Sequence, residues 1–212
     1  MRSRFLHIMS MTAILCLTSA ALSIAQESEV TLDAGKHLFE TGRFEEAEAV
    51  FKTLTKQDKK SAPAQYWLGM ALHELQRDKD AINAFKKAVK LDKTMVDGHL
   101  ALARVYLAVD KKKDARKAAE KAIDAAPGNA DAYYYLGLGY DENVRLAALR
   151  RGKVKKVFEN QLRPLQQAIE LNPDHPDAHY RIGLAYERLL EDFESALPFF
   201  FNEPPVIVIK LG

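Results

Sequence analysis

The chain has 212 residues, 48% of them apolar and 28% charged, which suits one ordinary domain or a short repeat array with a true core. A formal charge of only +2 argues against a nucleic-acid binder, whose surface must be strongly basic. The single cysteine, Cys16, rules out a disulfide framework and any cysteine-based metal site.

Arg2 and Arg4 form a small basic head, followed by a mostly apolar run from Ile8 to Leu22 and the small residues Ser23 and Ala25. This pattern predicts a secretory signal peptide over residues 1–25, cleaved between Ala25 and Gln26. The alternative is an uncleaved membrane anchor, for which the run is short and diluted by Ser10, Thr12, Thr18 and Ser19. Cys16 lies inside this leader behind the bulky Leu15, which argues against lipidation. Of the 31 Lys+Arg, two precede Ala25, leaving 29 against 29 Asp+Glu. The mature protein is expected to be formally neutral, and periplasmic or secreted.

Beyond the leader the chain repeats itself. Leu136-Gly137 has counterparts at Leu102-Ala103, Leu68-Gly69 and Ala34-Gly35, each 34 residues apart. The same step relates Tyr140, Tyr106, Leu72 and Leu38, then Ala47, Ala81 and Ala115, and then Phe51, Phe85 and Ala119. Leu54, Ala88 and Ala122 follow in register, and Pro127 closes the third unit. Within the second unit Trp67, Leu68, Ala71 and Leu72 recur at helical spacing, as do Ala81, Ile82, Phe85, Ala88 and Val89. Small residues at Gly69, Ala103 and Gly137 let two helices cross closely. One hairpin cannot bury both faces of its helices, so neighbours must stack.

These residues resemble the tetratricopeptide repeat, over most of the chain from about Ser28 to Leu197. Lys59 and Lys93 stand where that family usually has its closing proline, and Ala34 is small where leucine is usual. The resemblance implies an all-α fold, a right-handed α-solenoid of about five helical hairpins. Units are expected at 28–61, 62–95, 96–129, 130–175 and, in part, 176–197.

The fourth unit is longer than the others. Ile182-Gly183 follows Leu136-Gly137 by 46 residues rather than 34, so twelve residues have entered. Val144, Ala147 and Ala148 continue the period of the unit's first helix toward Arg151, with Gly152 as its stop. The second helix is expected near Gln161 to Leu171, with Asn160 as its cap and Pro164 in its first turn. The inserted stretch is basic, with Arg145, Arg150, Arg151, Lys153, Lys155 and Lys156. It reads as a solvated hairpin tip, or as a docking surface for an acidic partner or anionic headgroups.

In this family the first helices of successive units line a concave groove. The resemblance places Tyr66, Trp67, Met70, His73, Leu100, Arg104, Tyr134, Tyr135, Leu138, Tyr180 and Arg181 there, with interior packing as the alternative for Trp67. Aromatic rings with an occasional arginine suit an extended peptide or an amphipathic helix. Some members grip a C-terminal carboxylate through Lys, Arg and Asn. Here Leu100 and Tyr134 replace the lysine and Met70 and Leu138 the asparagine, so that clamp is not expected.

His175 and His179, with Asp174 and Asp177, could in principle hold a metal, but they straddle an inter-repeat turn where Asp177 more simply caps the next helix. No catalytic grouping, phosphate loop or cofactor motif is present, and neither an enzyme nor a metal or cofactor protein is expected. The tail, residues 198–212, is apolar and β-prone: Phe199 to Phe201, Pro204-Pro205 and Val206 to Ile209. It could fold over the open end of the array, pair with a partner, or mark a truncated or frame-shifted reading frame.

The functional expectation is a non-catalytic scaffold that binds a protein or peptide in an extracytoplasmic assembly, not a nucleic acid. Membrane contact is assigned to the leader or the basic insertion alone. Self-association through the open end of the array is the alternative, as is docking of an acidic partner or anionic surface on that insertion.

Overall fold

The computed structural model describes residues 30–140 and 153–185, the stretch 153–159 for its backbone alone. Among the described residues the secondary structure is entirely helical. In chain order these are α1 (Leu32–Glu40), α2 (Phe44–Gln57), α3 (Ala62–Glu74), α4 (Asp78–Leu91), α5 (Val96–Ala108), α6 (Lys112–Ala125), α7 (Ala130–Gly139) and α8 (Lys153–Leu171). A further helix, α9, occupies residues 176–185. No helix among the described residues is long and apolar enough to cross a membrane.

The 34-residue period is a period of backbone conformation. Gly42, Gln76 and Asp110 each have positive φ, at 78°, 59° and 55°, immediately before an outer helix begins. In each case the next N–H reaches back to a carbonyl five residues earlier: Arg43 to Leu38, Arg77 to Leu72 and Lys111 to Tyr106, at 2.9, 2.9 and 2.7 Å. These bonds satisfy carbonyls that the ending inner helix leaves open. Inner helices start differently, on a side-chain acceptor. Thr31, Ser61 and Asn129 accept from the N–H three residues on, at 3.1, 3.2 and 3.0 Å. Met95 provides no such bond.

Packing follows the turns. Helices α1/α2, α3/α4, α5/α6 and α7/α8 pair as hairpins, and α2, α4 and α6 pack in turn on α3, α5 and α7. The inner helices α1, α3, α5 and α7 also touch in succession, so the units stack into a solenoid.

The closest crossing in each hairpin is set by a complementary pair. Gly35 faces Phe51, Gly69 faces Phe85 and Gly137 faces Leu165, and all three large partners are fully buried. In the third unit both halves change together: Ala103 and Ala119, its register partner, are both 0% exposed. A Cβ built on Gly69 would lie 2.6 Å from the Phe85 ring, so glycine there is required by space rather than by backbone freedom.

Between the first two hairpins sits the carboxylate of Glu48, largely buried. It is 2.7 Å from Lys52 Nζ and accepts from Arg77 Nη1 at 2.6 Å, and Arg77 also donates to Asp80 at 2.8 Å. Burial opposes the charge of Glu48, but the two cations outweigh it and hold the carboxyl below its ordinary range. A group so depressed contributes stability above its unfolded pKa and loses that contribution as pH falls through the folded value. Glu48→Gln should therefore cost about 1–2 kcal/mol at neutral pH and little below about pH 3. Thermal unfolding at both pH values checks this; an equal loss at both would remove the ion-pair explanation.

The fourth unit differs from the sequence expectation in three ways. Helix α7 ends at Gly139 with Tyr140 as its C-cap, rather than continuing as one helix toward Arg151. The second helix starts at Lys153, so Asn160 lies inside it and is not its cap. Pro164 is an interior residue, not a first-turn one. The apolar period from Gln161 to Leu171 marks where this helix is buried, through Leu162, Leu165 and Ala168. It does not mark where the backbone first becomes helical. The leader, the tail, and Arg145, Arg150 and Arg151 lie outside the described residues.

Candidate functional site

The inner helices α3, α5 and α7 enclose a cleft of about 150 Å³. Helix α3 contributes Tyr66, Met70 and His73, at i, i+4 and i+7, so they share one stripe of that helix. Helix α5 contributes Asp97, Leu100, Ala101, Arg104 and Val105, and α7 adds Asp131 and Tyr135. The floor is Phe85 of α4, the ring that Gly69 admits.

Arg104 is exposed and makes no ion pair among the described residues. The two phenols on either side of it are half-buried. Burial raises the pKa of Tyr66, with Asp97 adding and Arg104 opposing. Burial likewise raises that of Tyr135, again opposed by Arg104 and reinforced by Asp131. Both therefore stay protonated at neutral pH and remain hydrogen-bond donors. His73 Nδ1 lies 2.6 Å from Asp78 Oδ1, which fixes the ring at one end of the cleft. The result is an apolar surface with one free cation, two carboxylates and two phenols at its edges. Such a surface can bury a side chain and orient a backbone. Among the described residues that line it, no nucleophile is paired with a base.

Of the eleven residues assigned to the groove by register, the structure brings together Tyr66, Met70, His73, Leu100, Arg104 and Tyr135. Trp67 is corrected. It packs between the first two hairpins against Phe39 and Tyr66 edge-on, at 5.4 and 5.5 Å between ring centroids, and stacks on Phe51 at 6.1 Å. Tyr134 turns toward α9 and lies 4.9 Å from the His175 ring. Leu138 and Arg181 are half-buried beyond the cleft, and Tyr180 is exposed on α9. Lys153, Lys155 and Lys156 fall within α8, well away from the cleft in sequence.

Asp97 and Asp131 line the cleft beyond the residues expected from the repeat register. They stand 34 residues apart, in the first turns of consecutive inner helices, and that spacing was the available signal.

The cap of α9 is also corrected: His175, not Asp177, begins this helix. Nδ1 of the buried His175 accepts from the Ala178 N–H at 3.3 Å. Its Nε2 is 3.2 Å from Asp131 Oδ1, close enough for attraction but outside hydrogen-bonding geometry. His179 Nε2 lies 2.7 Å from the Pro173 carbonyl, as His99 Nε2 lies 3.0 Å from that of Lys93. Pro173 and Lys93 hold the same place in their repeats, so both rings serve the inter-repeat turn.

With the hairpins and cleft in place, comparison with known proteins identifies the class. Tetratricopeptide repeat models match residues 32–95, 72–138 and 162–189. The chain belongs to the tetratricopeptide repeat family, and its units form a protein-interaction scaffold of a typically non-catalytic kind. Among solved structures, one of MamA is 29% identical with a TM-score of 0.60, covering 77% of this chain and 92% of that one. MamA from Desulfovibrio magneticus RS-1 is 26% identical with a TM-score of 0.63, covering 78% and 86%. The second repeat domain of human RPAP3, in complex with an HSP70 peptide, is 21% identical with a TM-score of 0.50, covering 52% and 92%, a likeness of fold. No curated protein matches.

Proposed function

We propose that this protein binds a protein partner in an extracytoplasmic assembly, through a short extended or helical segment seated between α3, α5 and α7. One observation carries the reading: the cleft is apolar at its base and open to solvent, with Arg104 between two half-buried phenols and free of any ion pair among the described residues. A surface meant only for solvent does not need half-buried Tyr66 and Tyr135, and one meant only for packing between units does not keep a free guanidinium.

The segment recognised would present an apolar side chain to Met70 and Leu100 and an acceptor to Arg104. The extracytoplasmic setting rests on the leader pattern of residues 1–25. The family's carboxylate clamp is not invoked, because Leu100, Met70 and Leu138 replace its polar residues. Affinity capture from an envelope extract, repeated with Tyr135→Ala, tests the proposal. A partner whose recovery falls at least about tenfold supports it. An unchanged set of captured proteins removes the groove from the account.

A further inference from the structure

We propose that the outer face of α4 and α6 is an electrostatic docking surface for an anionic lipid bilayer. On α4, Lys79, Lys86, Lys87 and Lys90 are exposed, and on α6 Lys113 and Lys117. None of the six makes an ion pair among the described residues. The first hairpin shows the contrast: on its outer side Arg43 is paired with Glu46, and Lys52 with Glu48.

Much of the acidity near the lysine face is already engaged. Asp78 holds His73, Asp80 holds Arg77 and Asp124 holds Lys121, while Asp92 accepts from Thr94. Asp114 and Glu120 remain as counter-charges, too few to neutralise six lysines.

The repeat makes this a surface rather than a scatter. Lys79 and Lys113 are one period apart, as are Lys87 and Lys121, so the two outer helices carry lysine at matching places. Charge is also divided between faces. The first turns of the inner helices carry Asp97, Asp131 and Asp177 at the same register, whereas α4 and α6 each hold more basic than acidic residues, four lysines against Asp78 and Asp80 in α4 and five cations against Asp114, Glu120 and Asp124 in α6. A chain near neutrality overall can in this way present a basic side.

The type of cation selects the partner. A bidentate grip on a protein carboxylate calls for arginine, and the arginine of α6, Arg116, is withdrawn to the Gly139 carbonyl at 2.7 Å and the Tyr140 ring. What remains are compact charges on flexible stems, spread over two helices, and the Tyr106 ring, 5.9 Å from Lys86 Nζ, is buried and offers no stacking face. This suits a diffuse layer of lipid phosphates better than one folded acidic site or a stacked nucleic-acid base.

Vesicle flotation tests this with the full chain, using phosphatidylcholine vesicles with and without phosphatidylglycerol. The comparison variant carries Lys79→Glu, Lys87→Glu, Lys113→Glu and Lys117→Glu. Any insertion by the apolar leader, and any attraction from its Arg2 and Arg4, is common to both proteins, so the difference between them reports the substituted lysines. The expected result is binding to the anionic vesicles that weakens with salt and falls at least about tenfold in the variant, with an unchanged circular dichroism spectrum and Tm. Equal binding to neutral and anionic vesicles overturns the proposal, as does equal binding by the two proteins. If the vesicles are ignored and the same lysines instead retain an acidic protein, the surface belongs to that protein.

Discussion

Gly69→Ala should destabilise the protein by about 1–3 kcal/mol, although alanine is the better helix former by about 1 kcal/mol. The new Cβ would stand 2.6 Å from a Phe85 ring that has no solvent-accessible surface, so the ring or the helices must shift. Phe85→Ala alone should cost about 3–5 kcal/mol, through lost burial and the cavity left behind. The informative result is the combination. In the Phe85→Ala background the obstruction is gone, so Gly69→Ala should become neutral or stabilising. The double variant reproduces the Ala103/Ala119 pair that the third unit already uses. Urea unfolding of the four proteins gives the coupling directly. Additive losses would show that the glycine is not there to admit the ring.

Arg104→Ala should separate binding from folding. The side chain is exposed and lacks an ion pair among the described residues, so stability should change by less than about 0.5 kcal/mol. Affinity for the captured partner should fall by about 10- to 100-fold if the guanidinium meets a charged or carbonyl acceptor in the cleft. Isothermal titration against the purified partner measures it, with Tm as the control. A variant that binds normally would leave the apolar residues Met70 and Leu100 as the only anchors. One that unfolds would show that Arg104 is structural.

The solenoid was legible in the sequence because its period is written in small residues that leave little choice. Gly35, Gly69 and Gly137 mark where inner helices meet Phe51, Phe85 and Leu165, and the spacing of these markers gives the hairpin directly. The insertion was legible as a count, since 46 replaces 34. Its internal boundaries were not, because apolar periodicity reports burial and helix α8 begins eight residues before Gln161, ahead of the apolar period.

The groove was legible in outline through the stripe Tyr66, Met70 and His73. Trp67 was the harder residue. It is one position further round the helix, a turn of about 100°, and that is enough to direct the indole at Phe39 and Phe51. Nothing in the repeat pattern decides which of two adjacent aromatics is inside; the packing of the preceding hairpin does. His175 illustrates another limit. A capping acceptor is ordinarily sought among Ser, Thr, Asp and Asn, as at Thr31, Ser61 and Asn129, so the imidazole Nδ1 was passed over for Asp177.

The groove is the centre of this account, and site-directed photocrosslinking tests it most directly. A photoreactive phenylalanine analogue at Leu100, on the inner face, is compared with the same group at Asn83, on the outer face of α4. A covalent adduct with the partner is expected from position 100 and none from position 83. An adduct from position 83 alone would contradict this.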